Sequence, residues 1–479
     1  MDLAVIDDTG RAATEKLIRS LPAFWAERQR LDRIDKWWRW HNDQPVMDPS
    51  KRSREFNYLL ETSTTPWLGL VVSTTSQALA VEGWRSSTLD DDELAAEPWQ
   101  WWQGNLMNTR QSAVHDAALA YGTSYVAVAQ GQDALTGAQM PRFHTYSPRH
   151  MMAFYADLLT DTIPEYAILV QAAKVSDRST PGGKTDGYMC EVWDNEAIHT
   201  ISFAGSGGST PGSVADCTYL GRTPHGASIC PVIRFADELD LEGRSPGQVE
   251  PYISIAQRID QTVFNRQVAN HFASWVVRWV AGLNLGDNPE SEKLRLGAEK
   301  ILVAPDADTK FGTLPATTPD GYLATEKAEI EYLSAVTQTP PHALLGKMVN
   351  MSAEALAAAE NGQQRKAAKR KESFGAAWEM VIRVAATIMG NDEVAGDAAA
   401  SIRWTDIESR SLAQTADALG KLATMLQIPP RALWERIPGI TDQQLTRWDR
   451  LQAEREAVAA LDAELLGNLE SPVEDDGDQ

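Results

Sequence analysis

The sequence predicts an α+β fold, mostly helical, and three stretches carry that prediction. The first is residues 352–389. Pro340-Pro341 end whatever helix precedes them, because proline lacks an N–H and restricts the residue before it. Ser352 then stands as an N-cap with Glu354 in the first turn, and no proline interrupts the chain as far as Gly390. A helix from Ala353 to Met389 would be about 55 Å long. Phe374, Trp378, Val381, Ile382, Ala385, Ile388 and Met389 form one apolar stripe along its second half, at helical spacing. The second stretch, residues 142–203, is β-rich, with strands near Phe143, Met151–Tyr155, Ile163–Val170, Tyr188–Trp193 and Ile198–Phe203. The third pairs two helical runs, from Val249 to residue 273 and over 321–336, around strand-like runs at Trp275–Val280 and Lys300–Val303.

The remaining elements follow in order. Residues 1–10 read as loose. Helical spacing then runs from Arg11 to Trp40, with Pro22 expected to break it in two. A short helix ends near Tyr58–Leu60. The next starts at Pro66 and is expected to carry Leu68, Val71, Val72, Leu79 and Val81–Gly83, before a strand at Trp84-Arg85. Trp99, Trp101 and Trp102 open a helix reaching Leu119, and Ser124–Ala129 alternate as a strand. Pro231–Phe235 is a further strand, followed by an acidic, glycine-containing connector over 236–247. Ser401–Trp404 reads as a strand, Ser411–Leu426 as a helix, Pro429-Pro430 as the start of another, and Asp442–Leu466 as a last one. The final SPVEDDGDQ is acidic and expected to be disordered.

Bulk properties narrow the function. With 479 residues and 43% hydrophobic content, a sizeable core over several regions is available. A formal charge of −22 argues against a protein that grips nucleic acid over its whole surface, while leaving room for one past which DNA slides. Sixteen tryptophans favour large buried interfaces. Cys190, Cys217 and Cys230 are widely spaced and form neither a disulfide framework nor a zinc pattern. The first ten residues lack the basic and apolar regions of a signal peptide, and no apolar run reaches membrane-spanning length. The eight histidines are scattered, and H-E-x-x-H and a phosphate loop are both absent from the sequence. GSGGSTPGS at 205–213 lacks the Gly-Lys-Ser/Thr that would make it a nucleotide loop. The sequence therefore requires no catalytic residue, cofactor or metal. An enzyme of unrecognised class and a cytoplasmic helical scaffold without a DNA role stand as alternatives, separable by hydrolysis assays and by oligomer size.

A family resemblance emerges from the order of several motifs. A helix, then TPPHALLG, a short loop, N-x-SAEAL and a long amphipathic helix with F-x-x-x-W resembles the portal proteins of tailed bacteriophages, of the siphophage type. TPWLGLVVSTTSQALAVEGWR upstream and SIRWTDIESRSLAQTADALGKL downstream extend it over roughly residues 10–455. The resemblance implies a portal fold with wing (1–245), first stem helix (246–275), clip (276–318), second stem helix (319–337), tunnel loop (338–351), long wing helix and return strand (352–408), helical crown (409–466) and tail (467–479). It also implies a twelve-fold homo-oligomeric ring at one vertex of the virion capsid, made in the host cytoplasm. The implied partners are double-stranded DNA in the channel, the terminase large subunit, the major capsid protein and a head-tail connector, with no membrane.

Two sets of site residues follow. Within LLGKMVNM, the resemblance places Lys347, Met348 and Asn350 on a tunnel loop facing the DNA, the other reading of these residues being an ordinary helix–helix connection whose apolar side chains are buried. One lysine per subunit becomes a ring of positive charge, able to hold phosphates weakly in a salt-dependent way. On the long helix, the basic cluster around Arg365, Lys369 and Arg370 is open to three readings: a solvated face, a phosphate-facing patch, or a subunit contact with acidic groups of a neighbour.

Overall fold

The structure is a computed structural model that describes residues 7–39, 54–87, 93–133, 135–176, 183–273, 278–281, 310–313, 320–346, 353–405, 412–434, 436–437, 440 and 442–469. The first elements are α1 (Asp8–Trp38), α2 (Arg54–Glu61), α3 (Trp67–Ser76), β1 (Val81–Arg85), α4 (Glu93–Gly104) and α5 (Met107–Tyr121). A run of strands follows: β2 (Thr123–Gln132), β3 (Gln139–Tyr146), β4 (Met151–Phe154), β5 (Tyr166–Ser176), β6 (Lys184–Trp193), β7 (Ala197–Ala204), β8 (Cys217–Pro224) and β9 (Val232–Ala236). Next come α6 (Ile253–Ala273), β10 (Arg278–Ala281), β11 (Lys310–Thr313), α7 (Asp320–Thr337), α8 (Pro341–Leu345) and α9 (Ala353–Met389). The last are α10 (Asp392–Gly396), β12 (Ser401–Trp404), α11 (Leu412–Met425), α12 (Pro430–Trp434) and α13 (Asp442–Leu469). The fold is mixed, with 54% of it helical.

The chain divides into two compact units. One comprises Met1–Asp32, Val72–Gly247 and Gln363–Gln479, the other Arg33–Val71 and Gln248–Gly362. Residues 33–71, expected with the rest of 1–245, therefore group with 248–362.

In the first unit, β4-β5-β6-β7-β8 form an antiparallel meander and β3-β2-β9 a smaller antiparallel sheet. One face of the meander presents Ile168, Val170, Cys190, Val192, Ile201, Phe203 and Cys217 to Leu17, Leu21 and Phe24 of α1. The opposite face packs Ala167, Leu169 and Trp193 against Tyr125, Ala127, Ala129 and Val232 of the smaller sheet. A further cluster gathers on α9. Trp378 meets Trp102 edge-on at 4.8 Å and Phe235 at 4.6 Å, while Phe374 stacks on His115 at 5.2 Å. Phe374, Trp378, Val381, Ile382 and Ala385 of the expected stripe are buried. In the second unit α6 and α7 run antiparallel, tied by Tyr252 to Val336 (3.3 Å), Arg258 to Glu329 (3.7 Å) and Arg266 to Glu326 (2.9 Å).

Several expectations are corrected by tertiary contacts. Pro22 does not divide α1. It sits on the exposed face, while Leu17, Leu21 and Phe24 are buried opposite. Burial of each contributes about 1.5–3 kcal/mol, which together outweighs the roughly 3 kcal/mol a helical proline costs. The helix from Pro66 stops at Ser76, and Val81–Gly83 belong to a strand. Val81 pairs with Trp404 and Trp84 with Ile402, far along the chain. The single helix expected from Trp99 to Leu119 is two, because Leu106 adopts a left-handed conformation (φ 55°). Asn105 holds that break: its amide donates to Trp101 O (2.9 Å) and Pro141 O (2.8 Å), and its carbonyl accepts from Phe143 N (3.0 Å). Strands β8 and β11 were not expected, and the run at Lys300–Val303 lies outside the described residues.

Asp397 closes the end of β1 onto the turn before β12. Its carboxylate accepts from Ser86 Oγ (2.6 Å), Ser87 N (2.8 Å), Ser87 Oγ (2.5 Å) and Ala399 N (3.2 Å). Burial alone would raise its pKa, but these bonds outweigh that and hold it at about 2. A carboxyl depressed on folding stabilises fully above its unfolded pKa of 3.8, and that stabilisation is lost as pH falls towards 2. Ser86→Ala/Ser87→Ala is therefore expected to move the acid-unfolding midpoint, followed by tryptophan fluorescence, to higher pH. Asp397→Asn flattens the pH dependence of the urea midpoint between pH 4 and 2.

Candidate interface residues on the long helix

The basic cluster of α9 divides between two faces because its members fall at different helical phases. Arg365 and Lys369 point outwards, whereas Lys366 and Arg370, four residues apart, turn towards the core with Ala367 and Phe374. Each is only 8% exposed, which is rare for cations unless they are paired. Arg370 Nε donates to Asp237 Oδ1 at 2.9 Å, and its terminal nitrogens reach Glu238 Oε2 (3.4 Å) and Lys366 O (3.3 Å). Lys369 bonds the other oxygen of Glu238. Ser373 Oγ donates to Ala236 O (2.7 Å), and Lys371 Nζ to Thr405 O (3.0 Å). The acidic pair follows β9 directly and is fixed there by Asp237 N donating to Gly122 O (3.0 Å).

The acids that meet Lys369 and Arg370 thus belong to the same chain. Arg370 is committed to them, and Lys369 retains 60% side-chain exposure. Arg365 is exposed and has no hydrogen-bond or ion-pair partner among the described residues. Sequence reasoning missed Asp237 and Glu238 as acceptors, although the ADELDLEG run directly after a strand was a usable signal.

Charge placement here has a titration signature. The Lys366 amine is lowered to about 8, first by desolvation and then by the Arg370 charge, with Asp237 opposing both. The hydrogen bond from Lys369 leads in lowering Glu238, helped by Arg370 against desolvation.

Lys347, Met348 and Asn350 lie outside the described residues. What flanks them is clear. Helix α8 ends at Gly346 with φ 63°, a left-handed position that suits glycine, and Gly346 N donates to His342 O (2.9 Å). Leu344 is buried, and α9 begins at Ala353.

His115 and His199 act as structural groups. Trp378 Nε1 donates to His115 Nε2 at 2.9 Å, which leaves Nδ1–H to donate to Leu79 O, also at 2.9 Å. Complete burial lowers its pKa to about 4, against the raising effect of the Leu79 bond, so the ring is neutral. His199 is held by Asp194 (3.2 Å) and Tyr219 (3.0 Å). Among the described residues no group of three His, Cys, Asp or Glu could hold a metal ion, and no helix is long and apolar enough to cross a membrane.

A long helix following an α6–α7 pair, combined with an all-antiparallel β region, defines a mixed helical and stranded protein. The sequence profile described as "Phage portal protein, SPP1 Gp6-like" matches residues 20–459, and the chain belongs to that family. The family is structural rather than catalytic. The portal protein of Mycobacterium phage D29 is 25% identical over 418 residues, covering 84% of this chain and 80% of the relative. That of Mycobacterium phage L5 is 24% identical with the same coverage. A chain from the virion of a native gene transfer agent particle aligns over 81% of this chain and 97% of its own length, at 12% identity and a TM-score of 0.41.

Removing the Arg370 guanidinium takes from the buried Asp237 the cation that it meets at 2.9 Å. Arg370→Ala is expected to lower unfolding stability by about 3–5 kcal/mol, and Lys369→Ala by less than about 1 kcal/mol, in urea titrations. Lys366 carries the opposite sign. Between its folded pKa of about 8 and its unfolded value of 10.5 the unfolded chain binds more protons, so stability rises with pH across that window. Lys366→Met is expected to raise the urea midpoint at pH 7 and to abolish that rise.

Proposed function

We propose that copies of this chain assemble into the ring-shaped DNA channel at one vertex of the capsid, twelve to a ring in the virion. The reading rests on the family match over residues 20–459. The channel passes double-stranded DNA during packaging, retention and ejection. The ring sits among the major capsid proteins, docks the terminase large subunit and later receives the head-tail connector. Helices α6 and α7 are the stem, residues 276–318 between them the clip, and α11–α13 the crown.

Charge supports the passage of DNA. A chain at −22 offers phosphates mostly repulsive walls, so the duplex does not stick. Lys347, with Met348 and Asn350, forms the exception on the tunnel loop, and repetition about an axis makes its single charge a ring. On α9 the contact with a neighbour rests on Arg365 and the exposed part of Lys369, since Arg370 is held by its own chain.

Electron microscopy of negatively stained protein is expected to show rings of about a dozen copies with a central hole. Particles without a hole, or a monomer at all concentrations, would sink the reading. Lys347→Glu is expected to leave rings intact while lowering DNA packaging or retention. Arg365→Glu is expected to weaken ring assembly, more so in low salt than in high. Normal rings from Arg365→Glu in both conditions would remove that residue from the contact.

A further inference from the structure

A groove of ≈ 520 Å³ opens in the first unit between α1, the start of β5, the turn before β7 and the segment ahead of β9. That volume lies within the range of about 300–1,000 Å³ typical of ligand sites. Lys16 and Arg19, one helical turn apart on α1, supply two cations, and Glu165 is the one carboxylate in the lining. Tyr166 and Ile229 give apolar surface, and Asn195 and Ser228 add polar groups at the rim.

The walls are held in place from behind by Asp194. Its Oδ1 accepts from Glu196 N (3.0 Å) and Ala197 N (3.1 Å), which shapes the turn carrying Asn195. His199 Nε2 meets its Oδ2 at 3.2 Å. The backbone carbonyl of Asp194 accepts from His225 Nε2 (3.0 Å), and His225 Nδ1 accepts from Ala227 N (3.1 Å), fixing the segment that bears Ser228 and Ile229. Cys230 Sγ reaches Trp193 O at 3.4 Å. Lys16 Nζ lies 3.8 Å from Asp194 Oδ2 and 5.4 Å from the centre of the Tyr166 ring, and Ser20 Oγ bonds the Tyr166 hydroxyl at 2.9 Å. Burial would raise the Asp194 carboxyl, but the bonds from His199, Glu196 and Ala197 outweigh it and hold the group well below the usual carboxylate range. The hub therefore stays charged at any working pH. A groove pre-shaped in this way loses little freedom on binding.

Arg19 is exposed and has no partner among the described residues, so its guanidinium fork is available for a carboxylate. We propose that this groove binds an acidic peptide segment of another protein, a carboxylate of the segment on Arg19 and Lys16 and a neighbouring apolar side chain on Tyr166 and Ile229. Asn195 and Ser228 complete the contact with the peptide backbone. Nucleic acid fits less well. Grip on a duplex comes from many phosphate contacts at once, and this groove offers two cations beside apolar surface. The overall charge of −22 repels acidic ligands, so any binding of one reports a local site rather than a general attraction.

The test is fluorescence anisotropy with the full chain and a labelled decapeptide of alternating Glu and Leu, compared with its Gln-for-Glu counterpart. Saturable binding to the Glu peptide, with the Gln peptide at least about tenfold weaker, is expected. Arg19→Glu should lose about tenfold or more and Arg19→Gln an intermediate amount, while Lys421→Glu on α11, an exposed charge change of the same sign, leaves affinity unchanged. Circular dichroism confirms that each variant folds. Absence of saturable binding, equal affinity in Arg19→Glu and wild type, or a duplex oligonucleotide that displaces the peptide at equal charge would overturn the proposal. None of these outcomes depends on whether the chain forms rings.

Discussion

The hydrogen bond from Trp378 to His115 is the interaction on which the first unit depends most. It joins the middle of α9 to α5, and the second nitrogen of the same imidazole carries the connection on to Leu79, just before β1. Three elements distant in sequence thereby share one buried ring. Because Trp378 can only donate, His115 must accept at Nε2, and its remaining proton is aimed at the Leu79 carbonyl. Polar groups buried at this depth are costly unless paired, and here both nitrogens are paired. Phe374, Phe235 and Trp102 close around the pair and exclude water.

Much of the fold was legible in the sequence where local signals sufficed. Helix α9 runs from Ala353 to Met389 as read, because nothing between Ser352 and Gly390 breaks it and its apolar stripe keeps the period. Helix α7, at Asp320–Thr337, departs from its expected span by a residue at each end. What was not legible depended on partners far away. Val81 looks helical beside Leu79 until Trp404 pairs with it. Leu106 looks like the middle of a helix until Asn105 finds Pro141 and Phe143. The candidate residues behave in the same way. Spacing alone identified a basic cluster on α9, but only the position of Asp237 and Glu238 separates Arg370, held internally, from Arg365, left outside. The Asp194 hub gave no sequence signal, because its partners come from the following turn, β7 and the segment before β9.

Charge is distributed unevenly between surface and interior. The chain as a whole is strongly acidic, yet the deeply buried ion pair on α9 puts cations on the helix and carboxylates on the connector after β9. Such pairs contribute little net stability relative to an apolar replacement, but they punish any register other than the native one. That suits a helix of 37 residues, whose register the buried Phe374 and Trp378 also fix.

The pairing of β1 with β12 sets an order of events for a chain leaving the ribosome. The meander β4–β8 is made of neighbouring hairpins, so its contacts are local and can form as soon as the strands emerge. Val81 must wait for Trp404. Until then β1 has an unsatisfied edge, and Nε2 of His115 waits for Trp378 of α9. A nascent chain that pauses before α9 therefore carries a finished sheet beside an open, aggregation-prone strand, and closure of the first unit coincides with completion of nearly the whole polypeptide.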